Sequence, residues 1–281
     1  MATNVSETVR SSVCIFFVPY YNEPTMGFRE RRQFVIAGAI AIALAGFGYW
    51  AVRSVLPAAT CTDTRKNQGE TAVDCGGPCI PCSVKYPKAI EAFWARAVPS
   101  GEGRYDAAAE VRNPNAEVAA ISFGYEFKLF DAAGIPVVTQ RGTSFLYPGE
   151  SSHIVEIGLA TGRTVERATI EFFDAAWAAT DAVSPDITAG NRQYVVEDSE
   201  GVLRSKVKAV ITNRSLQDLR EIFVGVVVFD DERNLVGVHR TRLDELLAGQ
   251  ARPVELVWPS AFAAPVSSFT VEPRSSWPLG R

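Results

Sequence analysis

The chain has 281 residues, a formal net charge of −4, and 21% charged against 47% apolar residues. Such a composition belongs to folded chains, not disordered ones, and the length leaves room for one to three domains. The slightly acidic balance excludes nucleic acid as the expected partner, and two histidines, His153 and His239, leave little material for histidine-based catalysis.

Residues 1–33 read as a cytoplasmic N-terminal segment. Val13–Val18 is apolar but too short to span a bilayer. Met26 opens Met-Gly-Phe-Arg-Glu-Arg-Arg, so Met26 rather than Met1 is the expected start, and Cys14, if translated, is expected to be free. Residues 34–52 are nineteen uncharged, mostly apolar residues. As a helix they reach about 28 Å, close to the hydrocarbon thickness of a bilayer. Arg29, Arg31 and Arg32 precede the run and only Arg53 follows it, which predicts the N-terminus inside and the rest outside. A cleaved signal peptide has a shorter apolar core, and Tyr49-Trp50 supply the interfacial aromatics of a stable span. A lipoprotein signal at Cys61 fits poorly with Ala58 and Thr60. Ala37, Ala41 and Ala45 repeat every four residues and offer a small-residue stripe for weak homodimerisation.

Residues 53–83 form an extracytoplasmic cysteine-rich segment. Cys61, Cys75, Cys79 and Cys82 are spaced C-x13-C-x3-C-x2-C. Outside the cytoplasm this reads as two disulfides, with three pairings open, and zinc as the rival. Asp63, Asn67, Glu70 and Asp74 could supply calcium ligands, although polar turns bonding their own backbone are the preferred reading. Asn67–Thr71 and Val73–Cys79 resemble the N-Q-G-E-T-x-V-D-C-G-G-x-C segments of many exported bacterial proteins, with Thr64 where a glycine is usual.

The remainder is an internal repeat. Tyr105–Asn113 answers Ser205–Asn213, Phe127–Asp131 answers Val226–Asp230, Leu146–Glu150 answers Leu246–Gln250, and Ala168–Glu171 answers Phe269–Glu272, at offsets of 99 to 101 residues. A period of that size is a whole domain. Within each copy apolar residues alternate, as at Phe123, Tyr125, Phe127 and Leu129, and at Ile222, Val224, Val226 and Val228. These two sets are expected to be buried, with Glu126 and Lys128 exposed. Turn signals such as Asn113-Pro114-Asn115 and Asp230–Asn234 separate the strands. The expected fold is mainly β: two tandem immunoglobulin-like β-sandwiches of about seven strands, residues 84–178 and 179–274, with a C-terminal tail at 275–281. Neither sandwich holds a cysteine, so each must rely on apolar packing.

Phe127-Lys128-Leu129-Phe130-Asp131 resembles the FxLYD family and its late-embryogenesis-abundant type 2 relatives, departing by Phe130 for tyrosine; the second copy keeps only Phe229-Asp230. The layout of anchor, cysteine segment and sandwiches also resembles uncharacterised membrane proteins of candidate-phylum bacteria. These resemblances imply β-sandwiches on a membrane-anchored protein, with no established activity. The motif Phe is expected in the core and the Asp at a turn.

No G-x-S-x-G elbow, phosphate loop, H-E-x-x-H or calcium hand occurs. Catalytic residues and cofactors are therefore expected to be none. Trp94, Trp177 and Trp258 read as sandwich core before they read as a sugar-stacking surface. The expected function is a single-pass membrane-anchored binding or structural module of the cell envelope, docking an unidentified envelope or surface protein. The alternative is an enzyme accessory or ligand-binding protein with a pocket between the sandwiches. A concave pocket with converging polar groups would favour the alternative.

Overall fold

The computed structural model describes residues 27–55, 60–180 and 183–276. The readings of Met26 and Cys14 lie outside the described residues, as do residues 277–281 of the expected tail. A helix, α1 (Phe28–Val55), outlasts the nineteen apolar residues at both ends, because the flanking Arg and Glu residues are good helix formers. Gly27 N–H donates to Glu30 Oε2 at 3.3 Å at its start, and Ser54 Oγ donates to the Trp50 carbonyl near its end. Phe34, Val35, Ile36, Ile40, Ile42 and Leu44 are all exposed. The helix is long and apolar enough to cross a membrane.

From Thr60 onwards the chain forms one compact unit. A one-turn helix, α2 (Cys82–Lys85), closes the cysteine segment. Six strands follow in the first repeat: β1 (Glu91–Gly101), β2 (Arg104–Arg112), β3 (Val118–Phe130), β4 (Pro136–Leu146), β5 (Ser151–Ala160) and β6 (Arg167–Ala179). Six more make the second: β7 (Ile187–Ser199), β8 (Val202–Asn213), β9 (Leu219–Phe229), β10 (Leu235–Leu246), β11 (Ala251–Val257) and β12 (Ser268–Arg274). The antiparallel sheets are β1-β2-β5 and β4-β3-β6, then β7-β8-β11 and β10-β9-β12, so the second repeat copies the first strand for strand. The chain thus holds two tandem β-sandwiches behind one apolar helix. Each copy has six strands where about seven were expected, because most run longer than the short strands assumed and take up the hundred residues.

The repeat extends to buried polar groups. Asn113 and Asn213 are both fully buried. Asn113 Nδ2 donates to the carbonyls of Val118 (2.8 Å) and Tyr147 (3.0 Å), while its Oδ1 accepts Asn115 N–H. Asn213 Nδ2 donates to the carbonyls of Gln217 (2.8 Å) and Leu246 (3.0 Å), while its Oδ1 accepts Ser215 N–H. Each amide ties the end of one sheet's central strand to the entry of the next strand and the exit of the one after it, both in the opposite sheet. Asp131 and Asp230 likewise cap their turns: Oδ1 accepts Ala133 and Ile135 N–H in one, and Glu232 and Asn234 N–H in the other.

Phe123, Phe127, Leu129, Ile222, Val224, Val226 and Val228 are 0% exposed and Tyr125 is 4% exposed, as their alternation requires. They anchor one core in each sandwich. The expectation for Glu126 fails: it is buried. β3 is the central strand of its sheet, so flanking side chains close over its outer face. Lys128 Nζ lies 3.1 Å from Glu126 Oε1, and Arg141 on β4 bonds the other oxygen. Lys128 itself is half-buried, bridging Glu126 and Glu171 of β6.

A third core lies between the sandwiches. Val98, Ala108 and Val155 from the first pack against Val227, Leu235 and Val238 from the second, with Trp94 and Phe229 alongside. Val227 has the outward parity on β9 and is nevertheless 1% exposed. The sandwiches therefore share a seam, and neither relies on its own interior alone.

Candidate functional site

The cysteine segment is closed by Cys61–Cys79 and Cys75–Cys82, which settles the pairing that spacing left open. The turn joining them needs glycine. Gly76 and Gly77 have φ of 79° and 60°, and a Cβ on Gly76 would stand 2.4 Å from Thr71 Oγ1. With all four sulfurs in S–S bonds, no thiolate is left to ligate zinc.

The four oxygen-bearing residues singled out nearby are engaged by the loop itself. Asp63 accepts Arg65 N–H at 2.9 Å and Asn67 Nδ2 at 2.7 Å, and the Asn67 bond leads the interactions that hold its carboxyl below the usual range. Glu70 is buried, and its Oε2 accepts the N–H groups of Asn67 and Asp74. Its Oε1 lies 3.2 Å from Cys79 Sγ, a disulfide sulfur with no proton to donate. Asp74 accepts Thr64 N–H and sits 3.4 Å from Lys85 Nζ, which also donates to the carbonyls of Val73 and Asp74. The carboxylates of Asp63, Glu70 and Asp74 do not gather within 4.8 Å of one another. Lys85 on α2, just past the segment, thus sets its ammonium against Asp74 and two loop carbonyls.

The other candidate is a cleft where the first sandwich meets the outer face of sheet β10-β9-β12. Ladder register explains its floor: Arg240 and Glu272 flank Gly225, and Arg242 and Arg274 flank Phe223 in the next row. A hollow of about 320 Å³ opens among Tyr125, Phe145, His153, Phe223, Arg240 and Arg274, with Val155 lying against Gly225.

The polar groups at this hollow clamp one sandwich to the other. Glu156 is buried, accepts Tyr125 Oη at 2.6 Å and pairs with Arg240 Nη2 at 3.2 Å. Arg240 Nη1 donates to the Val155 carbonyl. Burial, then the bond to Glu156, push the Tyr125 phenol well above its ordinary range. His153 Nδ1 lies 2.7 Å from Glu272 Oε1, and His153 N–H donates to Oε2 at 3.0 Å. Burial pushes the Glu272 carboxyl up, but bonds from His153 and the charges of His153 and Arg274 outweigh it and hold it low. Arg274 donates through Nε to Glu150 Oε1 at 3.0 Å and lies over the Phe145 ring, 4.5 Å from its centroid.

Ser152 Oγ donates to Glu272, not to His153, so the histidine cannot draw that hydroxyl's proton as a nucleophile–base pair requires. Trp258 is buried with Nε1 donating to the Val238 carbonyl, and Trp94 donates to Glu110 at 2.7 Å within the seam. Trp177 packs against the first core. The three tryptophans thus form no stacking surface. Sequence reasoning missed Glu156, Arg240, Glu272 and Arg274. None has its partner beside it in the chain, since that partner stands in the other sandwich or on another strand. The outward valines Val155 and Val227 were the available signal.

No protein-family model and no curated protein matches the chain. Among solved structures, it is similar to the N-terminal CBM22-1-CBM22-2 tandem domain from Paenibacillus barcinonensis Xyn10C. The similarity covers 68% of this chain and 87% of that one, at 10% identity and a TM-score of 0.15.

Proposed function

We propose that this chain is a single-pass, membrane-anchored binding or structural module of the cell envelope, without catalysis of its own. The observation that carries the reading is the order of α1 and the doubly disulfide-bonded segment after it. An apolar helix of that length suits a bilayer, and disulfides persist in oxidising compartments. With arginines concentrated before the span, the N-terminus lies inside and the sandwiches outside. Ala37, Ala41 and Ala45 on α1 offer a stripe for weak self-pairing. The likeness to FxLYD and late-embryogenesis-abundant type 2 domains supports only the β-sandwich part of this reading; the docked partner is taken to be another envelope or surface protein. A reporter active only in the cytoplasm, fused after Arg281, is expected to be silent; activity there would refute the orientation.

Oxidation of the four cysteines is the companion expectation. Alkylation of the unreduced protein followed by mass measurement should leave Cys61, Cys75, Cys79 and Cys82 unmodified. Stoichiometric zinc, with four alkylatable thiols after chelation, would establish the metal reading instead.

A second reading rests on one observation: the cleft between the sandwiches is concave and lined by converging polar groups. Its charges already have partners within the protein, so a ligand there would have to draw on Phe145 and Phe223. Crosslinking in intact cells separates the two readings, since a docked protein yields a protein adduct and a small ligand yields none.

A further inference from the structure

The chain's only two histidines both lie along the seam between the sandwiches, but only His153 bonds an acid of the opposite sandwich; His239 has no carboxylate within ion-pair distance among the described residues. His153 on β5 meets Glu272 on β12 and rests 5.4 Å from the Trp94 ring. His239 on β10 feels the charge of Asp106 on β2 and stands edge-on to Trp258 at 5.4 Å.

The two edges of the seam are built differently. At the first, Glu272 also accepts His153 N–H and Ser152 Oγ, with Arg274 on the same strand and Glu110 opposite on β2. At the second, the His239 ring meets backbone: Nδ1 lies 3.1 Å from the Arg240 carbonyl, and the Val257 carbonyl of β11 adds its pull. Asp106 is tied within its own sandwich, its Oδ1 accepting Gly158 N–H at 2.7 Å and Ser100 Oγ at 2.8 Å. The Arg240 guanidinium is held by Glu156 and the Val155 carbonyl.

We propose that the seam is a pH-responsive joint that opens from its His239 edge as the medium acidifies, with the His153–Glu272 edge as its hinge. Charging His239 places an imidazolium where no carboxylate bonds it. Burial holds His239 below the ordinary histidine range, and the Arg240 carbonyl, Asp106 and the Val257 carbonyl oppose this without overcoming it. A histidine shifted in that direction contributes stability that is complete above its unfolded value near 6.5 and is lost as pH falls from there towards its folded value. Asp106 has the opposite sign. Its carboxyl is raised by burial, against its bonds to Gly158 and Ser100 and the charge of His239, so its contribution is lost as pH rises. Glu272, held low, keeps its contribution until pH falls below the ordinary carboxylate range, and its bonds from Ser152 Oγ and the His153 N–H need no titrating partner. The hinge therefore outlasts the histidine window. Opening would bare Val98, Ala108, Val227 and Val238, an apolar face otherwise closed to partners.

Hydrogen exchange on the full-length protein in detergent tests this, at about pH 7.5 and about pH 5.5, corrected for the intrinsic rate. Amides of Val98–Asp106, Val236–His239 and Trp258 should exchange roughly three- to tenfold faster at the lower pH. Amides flanking His153 and Glu272 should hold. His239→Gln should flatten the response and His153→Gln should leave it. A response that survives His239→Gln overturns the proposal, and so does an equal change at both edges. If His239→Gln does not fold, the contrast between the two edges of the unaltered protein decides alone.

Discussion

Phe127→Ala is expected to lower the unfolding free energy of the full chain by about 3–5 kcal/mol, the range for truncating a buried phenylalanine. Phe127 is 0% exposed at the middle of β3, with Ile170 of β6 beside it and the Tyr125 ring edge-on at 6.0 Å. The cavity would open at the centre of the first core, where neighbours on both sheets are already in contact. That loss is a large fraction of the 5–15 kcal/mol by which a domain is usually stable. Lys128→Ala, one residue on, points the other way and should cost only a small part of it. It removes one of two cations over Glu126, and Arg141 remains. Denaturant unfolding of both variants gives the comparison. A larger loss from Lys128→Ala would mean that the strand faces are assigned to the wrong sides. The whole chain is the proper material, because a separated first sandwich would expose Val98, Ala108 and Val155.

Asn213→Ala should cost about 2–4 kcal/mol, and Asn113→Ala about the same, because each strands two buried carbonyls and one buried amide. Asn213 is fully buried; its Nδ2 group donates to the Leu246 and Gln217 carbonyls, the second of which also accepts the Ser215 hydroxyl. Asn213→Asp is the informative companion: it keeps the acceptor for Ser215 N–H and loses the donor. Thermal unfolding should rank both variants well below the unaltered protein. If Asn213→Ala melts within a degree or two of it, the amide is a passenger of the turn.

These two residues also show how far the sequence reached. Phe127 was legible because strand alternation depends on backbone geometry alone, and the repeat doubled the signal at Val226. Asn113 and Asn213 were visible as turn residues, but their burial was not. A hydrogen-bonded amide and a solvated one have the same spelling. Glu126 was misjudged because the alternation rule knows nothing of Arg141, which register brings opposite from β4. The seam was the largest omission. Val155, Val227 and Val238 sit on outward faces, and only the packing of one repeat on the other gives those faces an inside. The cleft follows from the same packing, so Arg240 and Glu272 carried no sign of their roles.

The two disulfides interleave along the chain: Cys75 lies inside the loop closed by Cys61 and Cys79, and Cys82 lies outside it. Every peptide bond from Cys61 to Cys82 is consequently spanned by at least one S–S bond. A single proteolytic nick anywhere in that collar leaves the sandwiches covalently joined to the helix. Shedding by one cut there requires a reductant as well, or a cut elsewhere in the chain.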